Sequence, residues 1–251
     1  MLCHASSPRI KAGDEPKRWI VIKADDVRGI NSKWDRFIEL SQEKGVKVSV
    51  GLIGNSSEKN LEAYSAWLKK WLGTGQVEVW NHGWDHARWK DEVTGKEKSE
   101  FGGSGYEHQK LHLTRTQQAS QGLIDKPFIT FGSPFNAMDA DTAKALNEIP
   151  ELKLIFCYPG HKATQQLASK TLLPMHLRGE HDGTGKPNFA KFKEDYARKN
   201  LDGILLSALQ FHPLGFSEEG FKNYADMLDF LKQEGWGFLL PEEVLKLPKA
   251  N

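Results

Sequence analysis

From residue 18 onward, short apolar runs alternate with longer stretches of helical periodicity, and this alternation limits the possible folds more than any other feature. Residues 18–23 carry Trp19-Ile20-Val21-Ile22, a buried strand by its β-branched content. A helix is predicted over 33–44, with Trp34, Phe37, Ile38 and Leu40 at helical spacing and Ser32 as N-cap. A strand over 46–52, a helix over 57–72 and a strand over 77–80 follow. The pattern continues with a helix over 106–121, a strand over 128–131 and a short helix over 139–147. Short strands at 154–157 and 171–173, a helix over 188–199 and a strand over 203–211 come next. A helix over 217–233, a strand over 237–240 and a small helix over 241–247 end the series. Such alternation predicts a mostly parallel sheet wrapped by helices. Seven or eight units favour an α/β barrel over a doubly wound sheet, whose first turn often carries a glycine fingerprint. Here the first strand runs instead into Ala24-Asp25-Asp26-Val27-Arg28-Gly29.

The chain of 251 residues is typical of one such barrel, and no repeat, low-complexity tract or linker divides it. Residues 1–17, polar and carrying Pro8, Gly13 and Pro16, read as a loosely held arm, and 18–251 as a single domain. A formal net charge of +1 argues against nucleic-acid binding, which leaves a basic excess. Cys3 and Cys157 define neither a disulfide framework nor a cysteine metal knuckle, and no apolar run is long enough to span a bilayer. The segment Leu2-Cys3-His4-Ala5-Ser6 is compatible with a trimmed secretion signal but carries neither an n-region nor an h-region.

The polar residues of interest sit where strands end. Asp25 and Asp26 follow the first strand, His82 and His86 the third, and His212 the strand at 203–211. In a parallel barrel these ends share one rim, where catalytic groups converge. If the backbone turns helically after Asn81, His82 and His86 leave one face a turn apart and can share a metal ion. With Asp26 they form a one-carboxylate, two-imidazole set that leaves a position open for water, as hydrolytic zinc sites do. Adjacent side chains of an extended strand diverge, so Asp25 joins Asp26 only if the backbone kinks; it would then serve as base. His212 is placed to protonate a leaving group. Against this stand bland readings: histidines on a loop, a solvated Asp-Asp turn, a histidine at a strand terminus. His176, His181 and Asp182 match no ligand spacing and read as surface loop. Trp84 and Trp89 are candidates for stacking on sugar, with a core role equally open. The glycine-rich stretch 87–105 reads as a long loop.

The joint order of Asp-Asp, His-x-x-x-His, Pro134-Phe135 and Leu209-Gln210-Phe211-His212 resembles the polysaccharide deacetylase (NodB-homology, carbohydrate esterase family 4) family, over nearly the whole chain. The resemblance implies a distorted (β/α)7–8 barrel and a metal-dependent hydrolase removing acetyl groups from N- or O-acetylated carbohydrate. It implies Asp25 as general base, Asp26, His82 and His86 as ligands of Zn2+ or another divalent ion (Co2+, Ni2+, Mn2+), and His212 as general acid. The backbone N–H near Phe135 would help hold the oxyanion. A poly- or oligosaccharide partner and a secreted or periplasmic location follow as expectations. The chain departs from the family at Val27, where a glycine is usual, and at Gly132, where an arginine orients the base; a clear Asp-Trp fourth motif is missing. Arg178 or Arg28 is expected to replace the arginine, and Asp182 or Glu180 to supply the carboxylate beside the histidine. A non-sugar C–N amide hydrolase and a carbohydrate-binding protein without turnover are the alternatives.

Overall fold

The computed structural model describes residues 18–248; the arm over 1–17 lies outside them. Eight parallel strands form one sheet: β1 (Arg18–Val27), β2 (Val48–Leu52), β3 (Val77–Asn81), β6 (Thr130–Phe131), β7 (Leu154–Cys157), β8 (Thr171–Pro174), β9 (Leu206–Phe211) and β10 (Trp236–Phe238). A separate hairpin, β4 (Arg88–Lys90) with β5 (Glu97–Ser99), occupies the stretch expected to be loop. The helices are α1 (Ser32–Glu43), α2 (Leu61–Leu72), α3 (Tyr106–Ile124), α4 (Ala140–Asn147), α5 (Phe189–Arg198), α6 (Glu218–Gln233) and α7 (Pro241–Val244). The sheet runs β1-β2-β3-β6-β7-β8 and returns with β9 against β1, so the expected distorted barrel is what the chain forms. β10 pairs with residues 18–20 of β1 and β2 with 22–27, below and above each other. Between β8 and β9 no ladder forms; Ser207 bridges the seam, accepting from His176 N–H and donating to the Pro174 carbonyl.

Two cores follow from strand alternation. Ile20, Ile22 and Ala24 of β1 face outward and pack with Trp34, Phe37, Tyr224 and Leu228 of the surrounding helices. Val21 faces the lumen with Trp80, Leu154, Phe156, Leu173 and Ala208. Lys23 and Asp25 share Val21's side, so β1 alone directs an ammonium and a carboxylate up the barrel interior. Gly132 makes this possible: a Cβ there would lie 2.8 Å from the Trp80 ring and 3.1 Å from Lys23 Cε.

Several boundaries differ from the sequence expectation. Asn31, not Ser32, caps α1, its side chain accepting from Lys33 N–H. α2 starts only at Leu61, after a 3-10 turn over Gly54–Glu58. The strand expected over 128–131 pairs only at Thr130–Phe131, and that over 203–211 starts at Leu206. Short pairing lengths, fixed by neighbouring strands, override the apolar runs.

Candidate active site

The ends of β1, β3 and β9 converge as a parallel barrel requires. The kink that Asp25 and Asp26 need is present. The β1–β2 register slips between Ala24 and Val27, and Asp26 takes a φ of 79°, rare for a residue with a side chain. Both carboxylates therefore reach the same space. His82 and His86 meet there too, but not on a helical turn. The segment after Asn81 is a loop in which Gly83 has φ 76° and His86 φ 56°.

Asp26 Oδ1 lies 3.3 Å from His82 Nε2 and 3.1 Å from His86 Nε2. Tetrahedral ligands about 2.1 Å from a zinc ion stand roughly 3.4 Å from one another, so the spacing suits one ion. The proton inventory points the same way. His82 Nδ1 donates to the Gly132 carbonyl at 2.6 Å, which makes Nε2 the nitrogen available as a metal ligand. Asp26 Oδ1 and His82 Nε2 are buried with no hydrogen-bond partner among the described residues. A buried carboxylate oxygen and imidazole nitrogen 3.3 Å apart call for a cation between them, and a metal ion shared with His86 would supply it. The donor set fits a divalent metal.

Asp25, 2% exposed, takes both oxygens to Lys23 Nζ, at 2.7 and 2.5 Å, and accepts from Gln210 Nε2 at 2.7 Å. Gln210 is itself oriented by Asn136, whose amide donates to its Oε1 at 3.0 Å. Asp25 Oδ2 lies 3.7 Å from His82 Nε2 and 3.9 Å from His212 Nε2. Across the cleft, Glu180 accepts from the His212 backbone N–H at 2.6 Å and pairs with His212 Nδ1 at 2.7 Å. Burial lowers the proton affinity of His212, but the bond to Glu180 and the charges of Asp25, Glu180 and Asp26 outweigh it, so its pKa is raised. Burial is also the largest influence on Lys23, whose pKa is lowered although Asp25 opposes the shift. Phe135, with φ 58°, is the middle residue of a 3-10 turn over Pro134–Asn136, and its ring lies 4.3 Å from that of His86. N–H groups at the start of such a turn lack partners within it.

The chain's residues 12–150, more than half of its length, match the family described as polysaccharide deacetylase. The chain belongs to the polysaccharide deacetylase family. Among solved structures it is similar to a Mycobacterium smegmatis protein assigned as a polysaccharide deacetylase, at 13% identity and TM-score 0.63, covering 96% of this chain and 93% of that one. It is also similar to a family 4 acetyl xylan esterase from Clostridium thermocellum in complex with a cobalt ion (13% identity, TM-score 0.61, 91% of each chain). A CE4-family pseudoenzyme from Bacillus anthracis aligns at 13% identity and TM-score 0.59, over 91% of this chain and 66% of that one. At these identities the structures establish the fold. No curated protein sequence matches the chain.

Within this deacetylase-family barrel, the expected arginine substitutes are not where the base needs them. Arg178 lines the cleft, but its Nε donates to the Glu180 carbonyl; Arg28 is exposed and is not among the partners of Asp25. The cation beside Asp25 is Lys23, two residues earlier on the same strand, which the sequence reading passed over. Its signal was a lysine at i−2 from the first aspartate inside an apolar strand. Asp182 bonds Lys191 and Asn188, so Glu180 is the carboxylate on the histidine. Trp84 and Trp89 lie outside the cleft lining: Trp84 sits under Arg115 and Trp89 beside His108. Glu100 was also missed. Fully buried, it accepts from the N–H of Trp84 and of His86 (2.7 Å) and pairs with His112 Nδ1 at 3.0 Å. It thereby shapes the loop that carries both histidines, and a Cβ on Gly83 would lie 2.6 Å from its carboxylate.

Proposed function

We propose that the chain is a divalent-metal-dependent deacetylase acting on an N- or O-acetylated carbohydrate, with zinc as the expected ion. The observation that carries this reading is the convergence of the Asp26, His82 and His86 donor atoms, with Asp26 Oδ1 and His82 Nε2 buried and without hydrogen-bond partners among the described residues, beside Asp25 and a carboxylate-held His212. The ion, when bound, supplies charge that polarises the acyl carbonyl and acidifies water. Asp25 accepts a proton from the attacking water, its carboxylate aimed by Lys23 and Gln210. His212 keeps Nδ1 on Glu180, which turns Nε2 toward the cleft to protonate the departing nitrogen or oxygen. The backbone N–H near Phe135, a residue of the cleft lining, would steady the developing oxyanion. A polymeric glycan is met outside the cytoplasm, so the reading carries a secreted or periplasmic location.

The test is metal content of the purified protein beside acetate release from acetylated glycans, with and without chelator. Chelator-sensitive release from protein holding one ion per chain is expected. Asp26→Ala should lose metal and activity together, and full retention of metal in that variant would remove Asp26 from the ligand set.

A further inference from the structure

The cleft above these residues has a volume of about 680 Å³, and its exposed lining includes Arg88, Arg178 and Lys199. The chain as a whole is nearly neutral, at +1, so three cations in one cleft do not follow from a basic composition. The acids of the same lining already have uses. Asp25 faces Lys23, Asp26 faces the two histidines, and Glu180 holds His212. Lys199 has Asp195 at 3.3 Å. Arg88 and Arg178, by contrast, form no salt bridge among the described residues.

Each of these arginines is anchored in a way that leaves its charge available. Arg88 lies over the Phe135 ring, 4.2 Å from its centroid, and that ring packs on the metal-site histidine His86. Arg178 donates Nε to the carbonyl of Glu180, the residue that holds His212, at 2.7 Å. One cation thus stands beside the metal-ligand side of the site and the other beside the general-acid side. Both guanidinium groups are partly ordered before any ligand arrives, and their terminal N–H groups match the geometry of a carboxylate or sulfate.

We propose that the substrate is an anionic glycan, in which sugars flanking the acetylated one carry carboxylate or sulfate groups that Arg88 and Arg178 engage. This rests on the deacetylase reading for the acetyl chemistry but on the two arginines alone for the charge of the ligand. Exposed pairs of this kind are weak singly, so each arginine is expected to contribute about fivefold in affinity, and the two together more than about tenfold.

The experiment measures binding by calorimetry to the intact protein of three unacetylated probes: an oligouronate, a sulfated oligosaccharide of matched length, and a neutral xylo-oligosaccharide. Acetate release from acetylated forms of the same glycans is followed in parallel. The proposal expects an anionic probe to bind more than about tenfold tighter than the neutral one, with the preference falling steeply toward ~1 M salt. Whether the uronate or the sulfated probe binds better identifies the source of the charge. Arg88→Gln and Arg178→Gln should each reduce the preference, whereas Arg36→Gln, an equal change of charge on the outer helix surface, should not. Equal binding of all three probes, or a preference that survives loss of both arginines, overturns the proposal. Acetate release from neutral glycans in that case leaves the deacetylase reading standing. Anionic preference with no acetate from any glycan upholds the ligand class and sinks the deacetylase reading instead.

Discussion

Replacing Lys23 by methionine keeps an unbranched chain of similar length in the barrel lumen but deletes the ammonium that Asp25 faces. Both members of the pair are buried, Lys23 at 0% exposure and Asp25 at 2%, and both carboxylate oxygens lie within 2.7 Å of Nζ. Removing one partner from such a pair leaves an uncompensated buried charge and costs about 3–5 kcal/mol. For a domain of this size that corresponds to a fall in Tm of roughly 6–20 °C. Activity should suffer separately, because Asp25 keeps only Gln210 to aim it. Misplacing a reacting group by an ångström can cost roughly 100-fold, and that loss belongs in kcat with KM little changed. The two effects separate in the double variant Lys23→Met with Asp25→Asn. It carries no buried charge at the pair and should regain most of the lost stability while remaining inactive. Urea titrations of the four members of the cycle, with kcat and KM for those that turn over, decide the matter. Wild-type stability and kcat in Lys23→Met would refute the view that Lys23 holds the base.

Three further outcomes concern other buried carboxylates, Glu78, Glu100 and Glu180. Glu78 is buried on β3, where it accepts from Glu242 N–H at 2.8 Å and Thr130 Oγ1 at 3.0 Å. Burial, partly offset by those bonds, pushes its carboxyl from 4.5 up to about 7. Between those values the folded chain binds more protons than the unfolded one, so stability falls as pH rises, by about 3 kcal/mol in all; Glu78→Gln should abolish that component in urea titrations at pH ~5 and ~8. Glu100→Ala should free the histidine loop and weaken metal binding about 10- to 100-fold in competition with a chelator, with unchanged affinity refuting the role. Glu180→Gln removes the carboxylate charge that raises the proton affinity of His212, so the alkaline limb of kcat/KM should move to lower pH; an unmoved limb would dissociate His212 from the acid step.

What could be read from the sequence was whatever repeats or lies close along the chain. Strand–helix alternation announced the parallel sheet, and polar residues at strand ends announced the rim. At His82 and His86 the expected convergence occurs on a loop built on left-handed residues and not on a helical turn, a difference the i, i+4 spacing does not reveal. Glu100 could not be found in advance. Its main partners are backbone N–H groups of Trp84 and His86, 16 and 14 residues away, and backbone donors leave no trace in residue identity. The tryptophans illustrate the same limit from the other side. Composition offers stacking surfaces, but only the fold decides that Trp84 and Trp89 are not among the residues lining the cleft.

The absence of an arginine at position 132 looked, in sequence, like damage to the catalytic apparatus. In the structure that position and Lys23 are two halves of one arrangement. A side chain at 132 would begin 2.8 Å from the Trp80 ring and 3.1 Å from Lys23 Cε, so a long cation there would have to displace Trp80 and crowd Lys23 in the lumen. The ammonium instead rises from β1 itself, 5.0 Å from the Trp80 centroid and in line with the carboxylate two residues on. Strand alternation then guarantees the pairing without any contribution from β6. A charge supplied from the base's own strand is also less dependent on how β6 and β3 pair, which here is through the single register position Asn81–Phe131. Gly132 is therefore better understood as the space that lets Lys23 serve the base than as a missing residue.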